Sequence, residues 1–200
     1  MNIIIDYGLG NLNSVQRGFE RVGMETKISS DVDEIRNSQS LILPGVGAFR
    51  DAINLLSEKK LKDVVIEEAQ KGKYLLGICL GMQLLYEKSF ENGEYSGLGL
   101  IEGNIKKFDI SLKVPHMGWN NLKIQKENSI VKNINDGDYV YYVHSYYAQG
   151  REKDVVAYSE YEVKVPGIVN RENIYGIQFH PEKSGTVGHN ILKAYKEIIK

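Results

Sequence analysis

The chain has 200 residues, of which 42% are hydrophobic and 26% charged, and its formal net charge is −1. That length and composition suit one soluble domain with a substantial core, and the near-zero charge offers no basic surface to favour nucleic acid or an anionic membrane. A lone cysteine excludes an internal disulfide framework and a multi-cysteine metal site; no apolar run approaches the ~20 residues of a membrane span, and no basic leader is visible, so the cytoplasm is the expected location.

The first half alternates strand and helix. Asn2 to Asp6 is a short apolar strand, followed by the glycine turn Tyr7-Gly8-Leu9-Gly10-Asn11. That turn partly resembles a dinucleotide fingerprint, but Asn13 stands where the third glycine belongs. Leu12 to Val22 has helical periodicity, with Val15, Phe19 and Val22 on one face. Glu25 to Ser29 fits a strand, and Asp31 to Arg36 a short helix with Asp31 as its N-cap. Leu41 to Leu43 is a buried strand ended by Pro44-Gly45. Ala48 to Leu56 and Leu61 to Gln70 are amphipathic helices. Tyr74 to Ile78 is another buried strand, and Leu80, Gln83, Leu84 and Glu87 continue as a helix.

The second half is rich in Val, Ile and Tyr. Strands are expected at Asn104 to Phe108, Asn121 to Ile124, Tyr139 to Tyr147, Asp154 to Tyr161 and Gly176 to Phe179, with a closing helix from Val187 to Ile199. The pattern predicts one α/β domain over residues 1–200. Its sheet is mixed and mostly parallel, with helices on both faces.

Cys79 stands where strand turns into helix, inside Gly77-Ile78-Cys79-Leu80-Gly81. This is the nucleophile-elbow spacing with sulfur in place of oxygen. The glycines let the backbone pinch, and the helix N-terminus favours a thiolate. The competing reading is a small core cysteine. A cysteine nucleophile needs a base and a group that orients the base. His180-Pro181-Glu182 supplies both if the chain is extended there, because residues two apart then project to the same side; otherwise they are a surface pair after a strand. An oxyanion needs backbone donors. Leu80 offers one, and Gly45-Val46-Gly47 offers another, unless that loop binds phosphate or is an ordinary turn.

Taken together, Gly77 to Gln83 and His180-Pro181-Glu182 resemble the class I, triad-type glutamine amidotransferases. Gly8 to Ser14, Pro44 to Phe49, Pro115 to Asn120, Tyr142 to Tyr146 and Gln178 to Ser184 narrow the resemblance to the glutaminase subunits of imidazole glycerol phosphate synthases. The match runs from end to end, with the motifs in family order; Arg151 to Pro166 is the least distinctive stretch.

The resemblance implies a flavodoxin-like fold, a Cys79–His180–Glu182 triad, and an oxyanion site at Leu80 and the Gly45–Gly47 loop. It implies that Gln83, Glu91 and the backbone at Ser145 and Tyr146 grip L-glutamine. It implies a heterodimer with a (β/α)8-barrel cyclase subunit that receives the ammonia. Asn11, Met117, Trp119, Tyr141 and Lys183 are the partner-facing positions. No cofactor and no metal are implied. Met117-Gly118-Trp119-Asn120 reads as a turn that exposes the only tryptophan beside a methionine, as suits an interface; a core tryptophan is the alternative. Rival readings are an amidotransferase subunit serving another synthase, such as one in surface-sugar modification, a non-catalytic module with the same fold, and a cysteine peptidase.

Overall fold

The computed structural model describes residues 1–200. In chain order the elements are β1 (Asn2–Ile5), α1 (Leu12–Arg21), β2 (Thr26–Ser29), α2 (Val32–Arg36), β3 (Ser40–Leu43), α3 (Phe49–Glu58), α4 (Leu61–Gln70), β4 (Tyr74–Ile78) and α5 (Leu80–Leu84). Next come β5 (Tyr86–Ser89), β6 (Tyr95–Ser96), β7 (Ile101–Lys107), β8 (His116–Asn121), β9 (Lys123–Ile124), β10 (Tyr139–His144) and β11 (Tyr146–Gly150). The chain closes with β12 (Val155–Tyr161), β13 (Val163–Arg171), β14 (Ile174–Ile177) and α6 (Gly185–Ile198).

The main sheet has eight strands in the order β2-β1-β3-β4-β14-β13-β12-β9. Pairing from β2 through β14 is parallel, and from β14 to β9 antiparallel. The sheet is therefore mixed, as the sequence predicts. Side chains alternate between its faces. Ile3, Ile5, Leu41 and Leu43 enter a core covered by α3 and α4; Ile4 and Ile42 enter a second core covered by α1 and α6. Burial on both faces explains why β1 and β3 are unbroken apolar runs. The Asp31 side chain caps α2 by accepting from the Glu34 N–H at 2.9 Å. No helix is long and apolar enough to cross a membrane.

Several boundaries differ from the sequence expectations. The helix after Cys79 stops at Leu84 instead of reaching Glu87. The Leu98 N–H takes the Leu84 carbonyl at 2.8 Å, and those of Leu100 and Ile101 take the Leu85 carbonyl at 2.8 and 3.0 Å. With those acceptors drawn to another segment, the chain leaves as β5. The expected strand Tyr139 to Tyr147 breaks at Ser145, where the chain passes from the β10-β8 ribbon to the four-stranded sheet β11-β7-β5-β6. Met117 to Asn120 is not a turn. It lies within β8, paired antiparallel with β10 from His116↔His144 to Asn121↔Tyr139. β13 runs through the indistinct stretch ending at Pro166 and joins β12 to β14.

Candidate active site

The carboxyl ends of parallel strands gather the chemistry, as in other open α/β sheets. Tyr7 follows β1, Pro44 follows β3, Cys79 follows β4, and His180 lies just beyond β14. Cys79 itself adopts φ +54° and ψ −112°, a conformation that side chains rarely take. Such strain costs on the order of 1–3 kcal/mol and persists only where the surroundings enforce it. Here the Cys79 N–H donates to the Ile177 carbonyl at 2.7 Å, and the flanking glycines allow close passage. A Cβ on Gly77 would lie 2.6 Å from the Gly81 carbonyl oxygen; one on Gly81 would lie 1.7 Å from that of Leu43. Neither position can accept a side chain without moving backbone. Because α5 spans only five residues, its dipole at Cys79 is small.

The imidazole beside Cys79 is that of His180. Its Nδ1 lies 2.8 Å from Glu182 Oε1, and both side chains are almost wholly buried. The pairing expected from the sequence is present, by a different local route. Pro181–Lys183 form a turn of 3-10 helix, not extended chain, and this turn brings the carboxylate back beside the ring. Burial opposes a charge on the imidazole. The Cys79 sulfur and then the Glu182 carboxylate outweigh it, and the His180 pKa is pushed up to about 10. The site therefore favours a protonated imidazole beside the Cys79 sulfur.

A cavity of about 370 Å³ opens on Cys79 and His180. Its walls include Val46, Gly47, Leu80, Gln83, Glu91, Ser145 and Tyr146, all candidates from the sequence. Gln83 Nε2 donates to the Tyr146 carbonyl at 2.9 Å and to Gln178 Oε1 at 3.1 Å. Glu91 is no free surface acid: its Oε2 accepts from the Phe49 N–H at 2.8 Å, at the start of α3. This is a satisfied helix N-terminus that also holds a carboxylate on the cavity wall. Gly45 and Glu182 border, with His180, a smaller cavity that reaches Asn11. Gly47 takes φ +93° beside exposed Val46, so the loop conformation depends on glycine.

Of the expected partner-facing residues, Asn11 and Lys183 are exposed, Met117 and Trp119 are 61% and 57% exposed, and Tyr141 is half-buried. Trp119 is thus no core residue. Its ring meets Tyr141 edge-on at 6.0 Å between centroids, across the β8–β10 register. Three residues at or beside the site, with His116 behind them, have no role in the sequence expectations. The buried Tyr7 hydroxyl donates to the Pro44 carbonyl at 2.8 Å, anchoring the glycine loop. Gln178 braces Gln83 and reaches within 4.0 Å of Cys79 Sγ. His144 lines the cavity and bonds His116. Position two residues before His180 was the only local hint for Gln178; the others depend on long-range packing.

Residues 3–196 match the family described as glutamine amidotransferase class-I. The chain is 50% identical over 198 residues to the imidazole glycerol phosphate synthase subunit HisH of Caldanaerobacter subterraneus subsp. tengcongensis, covering 98% of each. It is 50% identical over 200 residues to the same-named subunit of Bacillus cereus, covering 100% of this chain and 96% of the relative. Among solved structures, one described as PurLQS from Thermotoga maritima superposes with a TM-score of 0.78 at 18% identity, covering 100% of this chain and 98% of that one. Another, described as a glutamine amidotransferase, gives 0.77 at 18% identity over 98% and 97%. The structural likeness carries the fold; the sequence matches carry the family, and the chain belongs to the class-I glutamine amidotransferases.

Proposed function

We propose that this chain, working as one amidotransferase domain, is the glutaminase subunit of an imidazole glycerol phosphate synthase. The observation that carries the reading is the buried Cys79–His180–Glu182 constellation facing a cavity walled by Gln83, Glu91 and the Ser145–Tyr146 backbone. Glutamine enters with its side-chain amide against Cys79. The thiolate attacks the amide carbon, and the Leu80 N–H and the Gly45–Gly47 loop receive the oxyanion. His180 gives its proton to the departing nitrogen, the C–N bond breaks, and ammonia leaves a glutamyl thioester. Water, deprotonated by His180, adds to the thioester; glutamate departs and the sulfur is restored. Glu182 holds the imidazole in the correct tautomer throughout.

Ammonia released to neutral water becomes ammonium, which is no nucleophile, so the product must pass directly to a consumer. The relatives at about half identity are named as subunits of a synthase, which supports a heteromeric assembly. The proposed partner is the (β/α)8-barrel cyclase subunit. It uses the ammonia to form imidazole glycerol phosphate and an aminoimidazole carboxamide ribotide in histidine biosynthesis, in the cytoplasm. Met117, Trp119 and Tyr141, with Asn11 and Lys183, form the docking face: exposed aromatic and methionine side chains beside a lone amide and a cation.

The test is co-purification with the cyclase and a glutaminase assay with and without the nucleotide substrate. The expected result is a stable complex whose glutamine hydrolysis rises when that substrate is present. Cys79→Ala should abolish glutamine-dependent turnover and leave ammonia-dependent turnover intact. A chain that neither binds the cyclase nor responds to it, or a Cys79→Ala complex that still uses glutamine, would overturn the reading.

A further inference from the structure

Outside the triad, the molecule holds one other buried pair of titratable groups in hydrogen-bond contact with the cavity wall. His116 Nδ1 lies 3.0 Å from His144 Nε2, His144 Nδ1 lies 2.9 Å from the Tyr146 carbonyl, and Asn120 Nδ2 lies 3.2 Å from His116 Nε2. Only one neutral tautomer set satisfies every contact. The Tyr146 carbonyl can only accept, so His144 Nδ1 carries the proton and its Nε2 accepts. His116 Nδ1 must then donate, and its Nε2 accepts from Asn120. Asn120 is fixed in that orientation, because its second N–H goes to the Glu160 carbonyl at 3.0 Å and its oxygen accepts from the Asn121 N–H at 2.8 Å. The His116 ring stacks with Tyr161 at 4.1 Å and Tyr142 at 4.5 Å between centroids, which leaves it little freedom to turn.

The two ends of this line have different surroundings. His116 and Asn120 belong to β8, whose alternate residues Met117 and Trp119 point outward and are exposed. β8 pairs with β10 alone, so a load on its outer face meets one ladder of backbone bonds. At the other end, the Tyr146 carbonyl also accepts from Gln83 Nε2, and both residues line the cavity with Ser145. We infer that His116 and His144 are positioning residues that tie the orientation of β8 to the Tyr146 carbonyl and Gln83, so that docking on the outer face of β8 adjusts the grip on glutamine. The inference rests on the proposed glutaminase function and goes beyond it, since neither histidine touches the reacting atoms.

The experiment measures KM and kcat for glutamine in the free chain and in its complex with the cyclase, for wild type and three variants. His144→Leu removes the donor to Tyr146, and KM is expected to rise about three- to tenfold in both states, the loss of one buried hydrogen bond. His144→Asn keeps a donor at the Nδ1 position and cuts the link to His116. Its free-chain KM returns toward wild type, but the cyclase stimulates it less. His116→Gln leaves the free chain near wild type and also lowers the stimulation. Alkylation of Cys79 by iodoacetamide reports whether each variant keeps an intact elbow. His144→Asn and His116→Gln complexes stimulated as strongly as wild type would overturn the coupling, as would equal KM for His144→Asn and His144→Leu. If wild type itself releases no ammonia from glutamine, the functional reading fails and this inference fails with it.

Discussion

Acidification is the perturbation that isolates the two buried histidines. Burial lowers the pKa of His116 from 6.5 to about 4 and that of His144 to about 3; in the latter the Tyr146 carbonyl opposes, and His116 and His180 reinforce, the effect of burial. No carboxylate offsets it: the groups around the pair are Asn120, the tyrosines Tyr142 and Tyr161, and Phe108. Between about pH 6.5 and 4 the unfolded chain binds two protons that the folded chain refuses, so stability falls as pH falls. Each such proton costs about 1.4 kcal/mol per pH unit. At about pH 5 the loss is about 2 kcal/mol per histidine, or roughly 4 kcal/mol for the pair, against a total stability of roughly 5–15 kcal/mol. His180 has the opposite sign: its raised pKa contributes stability that is complete below about 6.5 and is lost as pH climbs through about 10. Glu68, lowered to about 2 by hydrogen bonds from Lys71 and Lys73, contributes above 4.5 and weakens only below it. The window from 6.5 to 5 therefore belongs to the dihistidine pair. Urea unfolding in half-unit pH steps gives the slope directly, with an expected uptake of close to two protons on unfolding near pH 5.5. The double variant His116→Gln/His144→Asn should lose most of that slope. A wild-type stability flat from pH 7 to 5, or an unchanged slope in a folded double variant, would refute the assignment of both rings as buried and neutral.

Gly81→Ala places a Cβ 1.7 Å from the Leu43 carbonyl and should abolish soluble expression or glutaminase activity; Gly47→Ala meets nothing within 4 Å and should cost only about 1 kcal/mol for its positive φ, read as a small fall in Tm. Glu182→Gln keeps the shape beside His180 Nδ1 but removes the charge, so kcat should fall about 10- to 100-fold with little change in KM, as steady-state glutaminase kinetics would record. Tyr7→Phe leaves the buried Pro44 carbonyl without its 2.8 Å donor; calorimetry should register a loss of about 1–3 kcal/mol, and, if the loop that follows Pro44 receives the oxyanion as proposed, kcat should fall more than KM rises.

What could be read from the chain was whatever its own short segments enforce. The elbow was legible because two glycines either side of Cys79 have one physical reason, the collision of any Cβ with Gly81 or Leu43 backbone. The parallel strands were legible because burial on both faces leaves unbroken apolar runs such as Ile3-Ile4-Ile5. His180 and Glu182 were paired correctly for the wrong reason, since a 3-10 turn, not a pleat, joins them. The failures share a cause: each element was decided by a distant segment. Leu84 and Leu85 looked helical, but residues 98–101 claim their carbonyls. Trp119 looked like a turn residue, but β10 supplies a ladder for it, and Tyr141 opposite it completes an exposed aromatic pair. His116 and His144 each lie in a motif of the resemblance, but nothing local pairs them across 28 positions. Yet their juxtaposition follows from the same register that exposes Trp119. A strand alternates its faces, so the residues that present Met117 and Trp119 outward must present His116 and Asn120 inward. An outer face that exposes Met117 and Trp119 and an inner face joined through His116 and His144 to Tyr146 are thus two consequences of one ladder, and under the proposed coupling a change to either is expected to be felt at the other.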